Sequence, residues 1–229
     1  MNNLVDPITF LLIGGCAVGK TTFLRRLAGL EYCQLFQPTS GFNVGEFRVE
    51  LKHNAHIIIN IIDISSELLT KRMESIMPKF FAANLDAIII VADSGNSQSF
   101  LDVNQWLELI SRNMKRNIIK HLVVNKADIP ISQRKFTPDK LSFLVKNSSL
   151  SGWSWTVGNP DFGDIEVSRG SYEHQKPPED VLYSLILSIL SNRQGNFCQL
   201  LTVPFKIDFL QWKHYDNNEI ETYFRNFMS

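Results

Sequence analysis

Continuous apolar runs along the chain alternate with segments whose apolar positions recur every three or four residues. "ITFLLI" (8 to 13) is an unbroken apolar run that ends at glycines. In "KTTFLRRLAGL", which follows, Phe23, Leu24 and Leu27 fall at helical spacing, so the order is strand, glycine turn, helix. "EFRVEL" (46 to 51) and "HIIINII" (56 to 62) read as strands, and the intervening "KHNA" suits a hairpin, which makes them antiparallel neighbours. Leu69, Met73, Ile76, Met77 and Phe80 repeat as on an amphipathic helix. "DAIIIV" (86 to 91) is apolar throughout, as a strand buried on both faces of a parallel sheet requires. "SQSFLDVNQWLELISRNM" (97 to 114) reads as the next helix, "HLVV" (121 to 124) as a strand, and "TPDKLSFLV" (137 to 145) as a helix with proline at its start.

Strands alternating with helices predict a doubly wound α/β sheet. From 147 to 177 the pattern loosens into Ser, Gly, Asn and Pro around Trp153 and Trp155, and "PEDVLYSLILSILSNR" (178 to 193) gives a last helix. Residues 1 to 193 are expected to form one domain. Residues 194 to 229 form an aromatic-rich C-terminal extension, helical in part and not a separate domain. Its Phe209, Trp212, Tyr215, Tyr223 and Phe224 are expected to pack back on the domain rather than to serve as a partner-binding helix.

Composition narrows the class. With 44% hydrophobic and 20% charged residues in 229, the chain is globular and long enough for one substantial core. The 23 basic and 23 acidic residues cancel, so charge points to no nucleic acid or anionic membrane partner. Cys16, Cys33 and Cys198 make neither a disulfide framework nor a zinc pattern, and with no signal peptide they suggest a reducing, cytoplasmic setting. The five histidines show no ligand spacing. No run approaches the length of a membrane span, and neither a myristoylation glycine nor a prenylation cysteine is visible, so no direct membrane anchor is expected.

"GGCAVGKT" (14 to 21) satisfies G-x-x-x-x-G-K-[ST] between an apolar strand and a helix. The cradle spans Gly14, Gly15, Cys16, Ala17, Val18, Gly19, Lys20, Thr21 and Thr22. Its N–H groups and the helix N-terminus suit phosphates, Lys20 would bridge the β- and γ-phosphates, and the Thr21 hydroxyl would ligate Mg²⁺. "NKAD" (125 to 128) follows a buried strand, on the carboxyl edge where open α/β sheets bind ligands. Asp128 would accept two hydrogen bonds from guanine, Asn125 would tie this loop to the phosphate loop, and Lys126 would lay its stem across the base. A P-loop kinase is disfavoured, because "NKAD" has no purpose there and no arginine-rich lid is evident.

These motifs resemble those of small GTPases of the Ras superfamily, and "QPTSGFNV" (37 to 44) is most similar to the ADP-ribosylation-factor-like (Arf-like) branch. The resemblance covers about residues 8 to 192. It implies a P-loop small G domain with a mostly parallel six-stranded sheet, GTP or GDP with Mg²⁺ as cofactors, and effector and regulator proteins as partners of a monomer. It also implies that Thr39 joins Thr21 and Asp63 around the metal. The family's second base-loop turn falls either in "EVSRG" (166 to 170), which would supply Ser168 and Arg169, or in "SWTVG" (154 to 158).

The family pattern D-x-x-G-Q after the third strand lines up with Asp63, Ser66 and Glu67. The metal end is kept and the catalytic end is changed. A Cβ at Ser66 would cost about 1–2 kcal/mol if a left-handed backbone is needed there. An ionised Glu67 would either repel phosphate oxygens or turn outward into the first helical turn; neither supplies the water-orienting amide. The expectation is a guanine-nucleotide switch with slow or accessory-dependent hydrolysis, a GTPase of weak intrinsic activity. The alternative is a non-hydrolysing interaction module that keeps nucleotide as a structural ligand. Only seven residues precede Ile8, so the amphipathic N-terminal toggle of Arf proteins is in doubt, and partners would have to recruit the protein to an organelle or cytoskeletal structure.

Overall fold

A computed structural model describes residues 6–32, 38–51, 56–70, 75, 78, 85–113, 118–157, 177–193, 206–220, 222–223 and 225. Seven strands form one sheet: β1 (Ile8–Ile13), β2 (Phe42–Glu50), β3 (His56–Ile64), β4 (Ala87–Asp93), β5 (Ile119–Asn125), β6 (Gly152–Trp155) and β7 (Ile207–Tyr215). They lie in the order β6-β5-β4-β1-β3-β2-β7. β1 pairs in parallel with β3 and β4, and β4–β5 and β5–β6 are also parallel. β2 is antiparallel to β3, as the hairpin reading requires, and to β7.

The helices cover both faces. They are α1 (Lys20–Leu27), α2 (helical at 66–70), α3 (Ser97–Asn113), α4 (Pro138–Asn147) and α5 (Pro178–Asn192). On one face Leu69 of α2, Val103, Trp106 and Ile110 of α3, and Leu141 of α4 pack on Leu11, Ile88, Ile90 and Leu122. On the other, Phe23 and Leu24 of α1 and Leu182, Ile186 and Leu190 of α5 pack on Phe10, Leu12, Ile59 and Ile89. Adjacent residues of β1 thus serve opposite layers, which is why "ITFLLI" is apolar at every position. Met73, Ile76, Met77 and Phe80 of the proposed helical stripe lie outside the described residues.

Two expectations need correction. The sheet has seven strands rather than six, because 207–215 of the extension is a strand; the helical part that was expected lies after it, at 220, 222–223 and 225. The segment after 147 is not wholly irregular: Gly152–Trp155 forms β6, where the buried Ser154 hydroxyl is satisfied by His121 Nε2 at 3.0 Å. The extension does pack on the sheet: Tyr215, the last residue of β7, stacks on Phe42 at 4.8 Å, and Tyr223 beyond it is edge-on to Phe42 at 5.0 Å. Phe224 lies outside the described residues.

Candidate functional site

The turn between β1 and α1 depends on glycine at two places. Gly14 has φ +150°, and a Cβ there would lie 2.2 Å from the Val91 carbonyl oxygen; Gly19 has φ +96°, and its Cβ would lie 2.2 Å from Asn125 Nδ2. Ala17 between them takes φ +57°, the left-handed conformation that helps turn successive N–H groups to one side of a loop. No side chain caps α1 and its first turn holds no acid, so its N-terminal N–H groups and dipole suit an anion. Lys20, at the start of α1, is buried, and its Nζ donates to the carbonyls of Gly14 at 3.0 Å and Gly15 at 2.9 Å. These two bonds use two of its three N–H groups. Burial pulls its pKa below the ordinary lysine value, and the charges of Asp63 and Cys16 partly offset that. Cys16 and Ala17 are exposed on the loop, Val18 is buried beneath it, and Thr22 is half-buried on α1.

Beside Lys20 three oxygen-bearing side chains meet. Thr21 Oγ1 donates to Asp63 Oδ2 at 2.6 Å and lies 2.8 Å from Thr39 Oγ1. With Asp63 ionised, the single Thr21 proton is used, so Thr39 is the donor to Thr21. Asn43 Nδ2 also donates to Asp63 Oδ2, at 3.3 Å. Asp63 is fully buried, its pKa raised by burial against the lowering influence of Lys20, Thr21 and Asn43. Its other oxygen, Oδ1, is buried with no hydrogen-bond partner among the described residues. An orphaned carboxylate oxygen beside two hydroxyls is a hard, oxygen-only donor set, and these residues fit a divalent cation such as Mg²⁺.

Asn125 ends β5, and its Nδ2 donates to the Val18 carbonyl at 3.0 Å, joining the base-type loop to the phosphate-type loop. Its Oδ1 accepts from Thr156 Oγ1 at 3.1 Å, and the Ala127 amide donates to the Thr156 carbonyl at 3.0 Å. The turn after β6, within "SWTVG", therefore contacts the "NKAD" loop. Thr156 was not among the singled-out site residues; the signal was its place just after a strand-compatible Trp-Ser-Trp run. Ser168 and Arg169 lie outside the described residues. Lys126 sits at φ +60° with its Nζ paired to Asp93 Oδ2 at 2.7 Å, and Asp128 is exposed three residues beyond Asn125. Arg134 braces this loop, donating to the Ile129 carbonyl at 3.2 Å and lying 4.9 Å over the Trp155 ring.

After β3, Ser65 takes over the N-terminus of α2: its Oγ accepts from the Leu68 amide at 3.1 Å. Its own amide donates to the Gly41 carbonyl at 3.0 Å, which ties the segment after Asp63 to the segment after Thr39. Ser66 is helical and absent from the positive-φ residues, so the left-handed strain considered for it does not arise in this conformation. Glu67 is exposed on the first turn of α2, where a carboxylate suits the helix dipole. Among the described residues no group of three or more His, Cys, Asp or Glu could hold a metal, and no helix is long and apolar enough to cross a membrane.

Comparison with known proteins agrees with the geometry. Ras-related protein Rab-5B of Plasmodium falciparum (isolate 3D7) is 28% identical over 123 residues, which cover 54% of this chain and 58% of that protein. The match thus spans little more than half of the relative's own length. The Ras family model matches residues 9–150, over half of the chain, and the protein belongs to the Ras family.

Proposed function

We propose that this chain binds GTP and GDP with Mg²⁺ and works as a small G protein switch whose hydrolysis is slow or depends on an accessory protein. The observation that carries this reading is the buried Asp63 oxygen without a partner, set beside Thr21 and Thr39 at the mouth of a glycine loop that Asn125 links to the base-type loop. In this reading Thr21, Thr39 and Asp63 would hold the metal. Bound Mg²⁺ would neutralise charge developing on the phosphate oxygens. Lys20 adds a fixed cation against the β- and γ-phosphates. The loop N–H groups hold the remaining oxygens. Asp128 selects guanine by accepting from its ring N–H and exocyclic amine, Lys126 shields the base plane, and Thr156 stands where the family's second base turn is needed.

One observation favours the non-hydrolysing reading: Glu67 lies exposed in the first turn of a helix capped by Ser65. Turnover separates the two readings. The switch segments around Thr39 and Ser66 would take effector and regulator proteins. "PTSGFNV" supports an Arf-like placement within the family, whereas the Rab-named relative lends that placement no support.

The test is to purify the chain, denature it and identify what it releases. Guanine nucleotide is expected, and Asp128→Asn should weaken GTP binding and shift preference toward xanthine nucleotides. Absence of any guanine nucleotide, together with no GTP binding at micromolar concentration with Mg²⁺, would overturn the proposal.

A further inference from the structure

The last strand reaches the metal-type carboxylate through a single intermediary. Asn43 on β2 stands opposite Asp63 on β3 and opposite His214 on β7, so the three form one row across the sheet. Asn43 is buried; its Nδ2 donates to Asp63 Oδ2 at 3.3 Å, and its Oδ1 lies 2.9 Å from His214 Nδ1. An amide oxygen only accepts, so His214 must present Nδ1–H. The carboxylate draws the NH₂ end of the Asn43 amide toward itself, and the proton given to Oδ1 holds the amide there from its other end. Without it Oδ1 loses its donor and the amide is held from the Asp63 side alone, so it no longer fixes the carboxylate.

We propose that His214 is a positioning residue for the nucleotide site: by fixing the Asn43 amide it orients Asp63 so that Oδ1 remains available to the metal. The inference rests on the reading of Asp63 as a magnesium-site residue. It gives a role to a strand that lies outside the matched Ras region of 9–150.

The experiment loads the full chain with fluorescent GDP and follows its release across a Mg²⁺ titration and in EDTA. His214→Phe keeps a ring but lacks the N–H, and should raise the Mg²⁺ concentration needed to slow release by about ten-fold, the scale of losing a partner that orients a metal ligand. Its release rate in EDTA should equal that of wild type. His214→Asn places an amide nitrogen where Nδ1 stood and should return the Mg²⁺ midpoint toward wild type. Asn43→Leu should match His214→Phe, and the double variant should be no worse than either single one. Equal Mg²⁺ midpoints in wild type and His214→Phe would overturn the inference, as would faster release in EDTA and Mg²⁺ alike or failure of His214→Asn to rescue. A wild type that binds no GDP, or releases it at a rate indifferent to Mg²⁺, would overturn the parent reading and the inference with it.

Discussion

At the scale of single residues, Asp63 is where function works against stability. Its carboxyl is fully buried and its pKa is raised by that burial, so the folded chain holds a proton that the unfolded chain has already released. Between the ordinary carboxylate value and the raised one, stability of the ligand-free protein therefore falls as pH rises. Asp63→Asn removes the buried charge. In EDTA and without nucleotide its melting temperature at neutral pH should exceed that of wild type by roughly 2–4 °C, what about 1 kcal/mol gives in a chain of this size. The gain should shrink as the buffer is acidified and wild-type Asp63 takes up its proton. With GDP and Mg²⁺ the order should reverse, and calorimetry in the two buffers checks both halves. Glu67 offers a second residue-level test. Gln at that position supplies an N–H that can orient water, so single-turnover GTP hydrolysis should rise by roughly ten-fold or more in Glu67→Gln. An unchanged rate would show that the outward position on α2 persists with nucleotide bound.

At the scale of elements, the junction of β2 with β7 depends on one glycine. Gly41 has φ +63°, and a Cβ there would lie 2.0 Å from the Tyr215 carbonyl, a backbone atom that cannot swing aside. Gly29 has nearly the same φ, +64°, with nothing within 4 Å of its would-be Cβ. The pair separates conformation from contact. Gly29→Ala should cost only the left-handed penalty of about 1–2 kcal/mol. Gly41→Ala should cost clearly more and should speed hydrogen exchange selectively in 207–215 as the end of β7 is pushed off. The same junction shows what the sequence could and could not reveal. β1, β4 and α3 were legible because a strand covered on both faces is apolar throughout and a long surface helix keeps its period. β7 was not, because the ladder shifts between Glu46 and Phe47, which leaves Leu210 without an opposite number and 40% exposed. Ile207, Phe209 and Trp212 consequently share a face at spacings of two and then three, and the aromatics mimic a helical period. The "GGCAVGKT" and "NKAD" loops were legible as motifs because each is local in sequence. The Asp63, Asn43 and His214 row was not, since register across three strands brings it together.

At the scale of the whole molecule, the sheet has to end somewhere, and equal numbers of acidic and basic residues give no net charge to keep copies apart. Edges of a sheet offer unpaired N–H and C=O groups to any similar strand, so they must be blunted. One edge is β6, only four residues long. The other is β7, which carries Asp208, Lys213 and His214 and an irregular register. β2, the strand that β7 covers, is the hazardous one: nine residues long, regular against β3, with Phe47 meeting Phe209 and Phe42 meeting Tyr215 at its side. Deleting 194–229 should therefore leave a chain that associates through β2. Sedimentation velocity should show the full chain as a monomer at all loadings, and the shortened one growing in mass as its concentration rises through the micromolar range. If the shortened chain stays monomeric at every loading, the role of β7 as an edge cover falls.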